Sequence, residues 1–240
     1  MFDIRYAHER GGSHHGWLQS RHSFSFADYW NPKQVGFSSL LVINEDIVAP
    51  SKGFHMHTHR NMEIISYVLA GALEHKDSMG TGSVIQPNDT QLMSAGQGIS
   101  HSEFNLSSEQ DVHLLQIWVV PNVADTQPKY QQMHLNEEDK RGKFHLMIAP
   151  QGHERTLAIK QDIYIYVAAF DGSEHADFVV SHNRYVYVHI AKGHIQINKT
   201  AFQSGDGIKI RQNQTLSFTD GQQCEVILFD MQPQELPKML

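Results

Sequence analysis

His55-Met56-His57-Thr58-His59 and His101-Ser102-Glu103 are short polar stretches in which imidazole and carboxylate groups recur at every second position. In an extended strand successive side chains point to opposite faces, so residues two apart share a face and lie ~6.7 Å apart. His57 and His59 therefore look the same way, and so do His101 and Glu103. If the two strands form neighbouring walls of one small barrel, three imidazoles and a carboxylate converge where a divalent ion would sit ~2.0–2.2 Å from each donor.

The sequence around these stretches supports such a barrel. Two-residue alternation interrupted by Gly, Asn, Asp and Pro runs along most of the chain, which is the pattern of many short strands and predicts an all-β protein. Strands are expected at 38–43, 62–70, 71–76, 90–95, 113–120, 146–149, 163–170, 184–190, 194–197, 207–210, 214–219 and 225–231. Helical signal is confined to 136–141, where Asn136-Glu137-Glu138-Asp139 supplies a cap and an acidic first turn. Residues 121–143 are polar, carry two prolines and lose the alternation, as a connection between domains does. The expected division is 1–130 and 131–240.

A weak internal repeat points to two related halves. Residues 67–75 followed by 84–89 can be laid over 186–197 followed by 201–206: strand, glycine turn, returning strand, then a turn ending in Asp89 or Asp206. Two similar antiparallel β-barrels are the simplest reading. The second half has no counterpart of His57-x-His59 or His101-x-Glu103, so only the first is expected to hold an ion.

With 240 residues the chain has ample length for two cores without covalent staples. Nineteen Lys and Arg against 26 Asp and Glu give a formal charge of −7, and the basic residues are scattered, which argues against direct nucleic-acid binding or an anionic membrane surface. One cysteine, Cys224, cannot close an intrachain disulfide and reads as a small buried hydrophobe in a protein of a reducing compartment. The amino terminus lacks a basic segment followed by an apolar one, and apolar runs such as 114–121 fall far short of the ~20 residues a spanning helix needs. A cytoplasmic location is expected.

The stretch Gly53-Phe54-His55-Met56-His57-Thr58-His59-Arg60-Asn61-Met62-Glu63-Ile64, followed by Gly71 and by Gly96-Gln97-Gly98-Ile99-Ser100-His101-Ser102-Glu103-Phe104-Asn105, resembles the two motifs of the cupin superfamily in the form used by pirin proteins. Gly16-Trp17 and Arg21-His22-Ser23-Phe24-Ser25-Phe26-Ala27-Asp28-Tyr29 resemble the pirin amino terminus. The likeness is specific over nearly the whole first half and one of length and strand pattern in the second. It implies a bicupin, two tandem jelly-roll barrels, with an N-terminal iron site built by His57, His59, His101 and Glu103. For bacterial members it also implies quercetin 2,3-dioxygenase activity. His55 departs from the pattern, since close relatives carry a small residue there. Two positions before His57, it reads as a residue lining the mouth or supporting the ligands, in preference to a fifth ligand that would fill a position chemistry needs open.

Three neutral imidazoles and one carboxylate suit Fe(II), Mn(II), Ni(II) or Cu(II) with an exchangeable position; zinc is chemically possible, but a closed tetrahedron would leave no place for substrate. Such a site attracts an acidic hydroxyl and lowers its pKa. The expected reaction is cleavage of a flavonol such as quercetin by O2, with Glu103 either staying bound or swinging away as general base. Two other classes compete: a metal-dependent, redox-responsive module acting on a protein partner, and a cupin sugar isomerase, which needs cationic groups around its pocket. Glu63 reads as a supporting or structural residue, and Phe24, Phe26, Tyr29, Trp30, Met62 and Met93 read as core rather than pocket lining. His14, His15 and the C-terminal His145, His153, His175, His182, His189 and His194 lack a carboxylate at ligand spacing and read as surface or core residues.

Overall fold

The computed structural model describes residues 2–153 and 155–235, and strands dominate it. The helix expected at 136–141 is the single turn Glu137–Lys140, where Asp139 Oδ2 accepts from the Asn136 amide at 2.9 Å. The chain divides into two compact units. One comprises Gly11–His134 with Ile159–Gln161; the other comprises Leu135–Ala158 and Asp162–Glu235 with residues of the first ten. The expected boundary at 130/131 thus differs from this division in two ways. The strand Lys129–His134, inside the stretch read as a connection, is hydrogen-bonded along its length to Asp89–Ser94. The strand Asp3–Arg5 pairs with Gly207–Ile210 of the second unit. Both are edge strands, hydrogen-bonded on one side only to a partner distant in the chain.

In the first unit a seven-stranded antiparallel sheet runs in the order Lys129–His134, Asp89–Ser94, Glu63–Ala70, Val112–Val119, Leu40–Val48, Leu18–His22, Gly11–His14. A four-stranded sheet has the order Gly53–His59, Ile99–Asn105, Leu73–Asp77, Gly82–Ile85. Leu73 and Ile85 of the smaller sheet and Leu18, Val48, Val68, Val112 and Leu114 of the larger form one buried cluster, so the two sheets close over a shared interior. The short strands Gly11–His14, Leu18–His22 and Gly82–Ile85 were not expected, because they are polar and too brief to show a period.

The second unit is one nine-stranded sheet. Segments expected as pairs of strands are continuous: Tyr185–Ile197 and Gln214–Met231 each run through the intervening break. Register shifts between Ile190 and Lys192, Lys192 and His194, and His194 and Gln196 bend the long strands where the sequence shows a turn. The repeat has a structural counterpart in its turns. Asp89 Oδ2 accepts from the Gln86 amide at 2.9 Å, and Asp206 Oδ2 accepts from the Gln203 amide at the same distance. In both turns the preceding residue, Asn88 or Gly205, has positive φ, 74° and 87°.

Candidate metal centre

The strands Gly53–His59 and Ile99–Asn105 pair antiparallel, with His101 opposite His57 and Ile99 opposite His59. One face of this pair brings together His57, His59 and His101, whose ring centroids are 4.4 Å (57–101), 4.8 Å (57–59) and 5.0 Å (59–101) apart. Their ligating nitrogens lie within 4.8 Å of one another. His57 Nδ1 donates to the carbonyl of His55 at 2.7 Å, which leaves Nε2 as the ring's free lone pair. His101 is 1% exposed, and both of its ring nitrogens are buried without a hydrogen-bond partner. A buried imidazole with both nitrogens unsatisfied is costly, and a cation within reach would remove that cost.

Burial, followed by the neighbouring imidazoles, depresses the pKa of His101 to about 3 and of His59 to about 4. Both rings are therefore neutral and able to ligate well into the acid range. The trio fits a divalent ion.

A one-residue bulge follows. His101 faces His57, but Glu103 faces Phe54, so the strand Gly53–His59 carries an extra residue there. Gly53 makes this possible: a Cβ at that position would lie 2.2 Å from the Glu103 carbonyl oxygen and 2.5 Å from Phe104 Cα. The bulge also resolves the departure at His55. Phe54 packs edge-on against Trp17 at 5.3 Å, while His55 turns outward, exposed at the rim of the cavity with its ring edge-on to Phe104.

Glu103 is 2% exposed, and its carboxylate is held from both sides. Ser66 Oγ donates to Oε1 and Gln116 Nε2 to Oε2, each at 2.8 Å. Its nearest potential co-ligands are His101 and His75, whose donor atoms lie with its own within 4.8 Å of one another. His57, His59 and Glu103 are thus linked through His101, which belongs to both groups. His75, directly opposite Glu103 on Leu73–Asp77, was missed in the sequence. It is fully buried, with Nε2 3.2 Å from Asp77 Oδ2 and its ring 5.3 Å from that of His101. Ser66 and Gln116 were missed too, although each interrupts an apolar run, Ile64-Ile65-Ser66-Tyr67-Val68 and Leu114-Leu115-Gln116-Ile117-Trp118. A polar residue inside such a run is the signal that would have found them.

These groups open onto a cavity of about 440 Å³ inside the first unit. Trp17, Phe26, Phe54 and Trp118 supply aromatic wall, and neither Lys nor Arg lines it among the described residues. Phe26, expected in the core, is a lining residue, while Phe24 is buried and Trp30 stands 71% exposed. Met62 and Met93 are core, as expected. Glu63 is buried outside the cavity lining, accepting from Ser94 Oγ at 2.8 Å, and burial pushes its carboxyl up to about 7. Asp46 also lines the cavity; Ser20 Oγ donates to its Oδ1, and burial foremost, helped by the Glu103 and Glu45 charges, raises its carboxyl to about 7.

Two barrel-like units, one carrying a histidine cluster that fits a divalent ion, define the class of bicupin proteins. Comparison with known proteins agrees. The Pirin family profile matches residues 3–119, and that of the quercetinase C-terminal cupin domain matches residues 146–231. The chain belongs to the pirin family. It is 40% identical over 233 residues to a protein of Escherichia coli K12 named quercetin 2,3-dioxygenase, covering 97% of this chain and all of the relative. It is 32% identical over 231 residues to a pirin-like protein of Caulobacter vibrioides, covering 96% and 99%. Among solved structures it resembles the E. coli bacterial pirin YhhW in complex with nickel(II), with a TM-score of 0.92, 38% identity, and coverage of 98% of this chain and 100% of that one. No helix among the described residues is long and apolar enough to cross a membrane.

Proposed function

We propose that this protein is a metal-dependent dioxygenase that uses O2 to cleave a flavonol such as quercetin, giving a depside and carbon monoxide. The observation that carries this reading is the buried, unpartnered His101 imidazole, grouped with His57 and His59 beside the clamped Glu103 on an aromatic-walled cavity. The relatives' name supports the choice of substrate.

In this reading His57, His59, His101 and Glu103 hold a divalent ion, Fe(II) first and Mn, Ni, Cu or Zn as alternatives. When bound, the ion supplies positive charge that acidifies a substrate hydroxyl and a site for exchangeable ligands. Trp17, Phe26, Phe54 and Trp118 accept the flat ring system and exclude water. Glu103, clamped beside the histidines, would hold the ion close to the 3-hydroxyl whose acidity the ion raises. Of the two roles open to it in the sequence, the clamp favours a carboxylate that stays in place, since swinging away would strip Ser66 Oγ and Gln116 Nε2 of their buried acceptor. The lack of Lys and Arg in the lining disfavours the sugar isomerase alternative.

Oxygen uptake with quercetin by protein reconstituted with Fe(II), beside a His57→Ala control, tests the proposal. Uptake that disappears in the control supports it. Fully loaded protein that consumes no oxygen with any flavonol would refute it and favour the protein-binding alternative.

A further inference from the structure

A single row of polar side chains crosses the larger sheet of the first unit. The ladders place His22 opposite Asn44, Asn44 opposite Gln116, Gln116 opposite Ser66, and Ser66 opposite Gln91. All five are buried. Directly opposed residues share a face, so these side chains project together into an interior that apolar residues would fill at lower cost. Part of the row has an evident purpose: Gln116 and Ser66 clamp Glu103, and Gln91 approaches His75 at 3.5 Å. The other end holds no metal-site residue. There His22 Nδ1 donates to Asn44 Oδ1 at 2.8 Å, and the next cross-strand pair on the same face is Ser20 opposite Asp46. Ser20, His22, Asn44 and Asp46 all line the cavity that His57, His59 and His101 line.

The hydrogen-bonding capacity at this end is incomplete. Asn44 spends its Oδ1 on His22, and its Nδ2 has no hydrogen bond among the described residues. Asp46 receives Ser20 on Oδ1, and its Oδ2 has none. The amide Nδ2 is a donor, and the carboxyl Oδ2 accepts when ionised and donates when protonated. A phenolic hydroxyl, which donates one hydrogen bond and accepts others, satisfies both.

We propose that Asn44 and Asp46 form a hydroxyl-binding subsite that takes a phenolic hydroxyl of a polyhydroxylated aromatic ligand, held through an oxygen other than the one that faces His57, His59 and His101. This rests on the flavonol reading and extends it: the 3-hydroxyl common to all flavonols goes to the histidines, and selectivity among flavonols is set at Asn44 and Asp46. Buried polar groups left unpaired by a ligand lacking the second hydroxyl supply the discrimination.

Equilibrium binding to Ni(II)-loaded protein without oxygen, followed by quenching of the cavity tryptophans, tests it. The probes are quercetin and 3-hydroxyflavone, which lacks every ring hydroxyl but the 3-hydroxyl. Wild-type protein should bind quercetin about tenfold more tightly. Asp46→Ala and Asn44→Ala should each reduce that preference several-fold while leaving 3-hydroxyflavone affinity and nickel content nearly unchanged. Asp46→Asn, which keeps the shape and a polar tip, should retain part of it. Equal affinities in the wild type, or variants that weaken both ligands alike, would overturn the subsite. Failure of wild-type protein to bind either flavonol would overturn the flavonol reading, and the subsite with it.

Discussion

The two units are built from the same kind of strands and share the same aspartate turn, yet their interiors are opposites. The first keeps buried His22, Asn44, His101, Glu103 and Gln116 around a cavity, with buried Ser66 and Gln91 in the same polar row. The second fills its interior with Phe170, Phe218, Val188, Ile208, Leu216 and Leu228, and Phe144 packs against Phe218 at 4.9 Å and Phe178 at 5.3 Å. A buried ion pair also sits there, in which Lys140 Nζ donates to Glu225 Oε2 at 2.7 Å. Cys224 is buried there, and burial pushes its thiol up to about 12, which makes it a packing group rather than a nucleophile. A strand barrel is stable when its inner face is apolar and close-packed. Polar side chains inside one lower its stability unless they pair or bind something, and their concentration in the first unit supports the proposal that ligand binds there.

The sharpest way to break this contrast is to remove one histidine from each unit. His101→Ala should abolish stoichiometric metal binding and oxygen uptake, whereas His194→Ala in the second unit should leave metal content, measured by elemental analysis, unchanged. Glu103→Ala should reduce turnover by about a hundredfold or more, with a modest drop in the unfolding midpoint because Ser66 Oγ and Gln116 Nε2 lose their acceptor; full activity in that variant would remove Glu103 from the mechanism.

In the second unit the expected loss is one of stability. Phe218→Ala should cost about 3–5 kcal/mol in urea unfolding, with metal content per folded molecule preserved. Ser66→Ala, which removes one side of the Glu103 clamp, should lower metal affinity or turnover by about 10- to 100-fold, a smaller effect than loss of Glu103 itself.

The smallest effect concerns Asp46. Its folded pKa is raised from the ordinary 3.8 to about 7, so the metal-free protein loses stability as pH rises through that interval and the buried carboxyl ionises. Below 3.8 the group is protonated in both folded and unfolded chains and has no such effect. Asp46→Asn removes the titration. The melting temperature of the variant relative to wild type should therefore be higher at pH 8 than at pH 4, and a difference independent of pH would refute the assignment.

The sequence by itself determined the all-β class, most strand positions and the sharing of one strand face by His57 and His59, because alternation at period two is a local property that the backbone imposes wherever a strand forms. Even the Asp89 and Asp206 turns were legible, since each is closed by a carboxylate that accepts from the amide three residues before it, a local contact. Tertiary structure decided the rest. The outward turn of His55 depends on a bulge opposite Glu103 that local spacing does not encode. The edge strands Asp3–Arg5 and Lys129–His134 are defined by partners far away in the chain. Gln116, Asn44 and Asp46, which line the cavity, and Ser66 and His75, which lie against Glu103, come from strands scattered over the first unit, and only the pairing of those strands brings them together. Cross-strand register is a long-range property, and a site assembled across it becomes visible only once the sheets have closed.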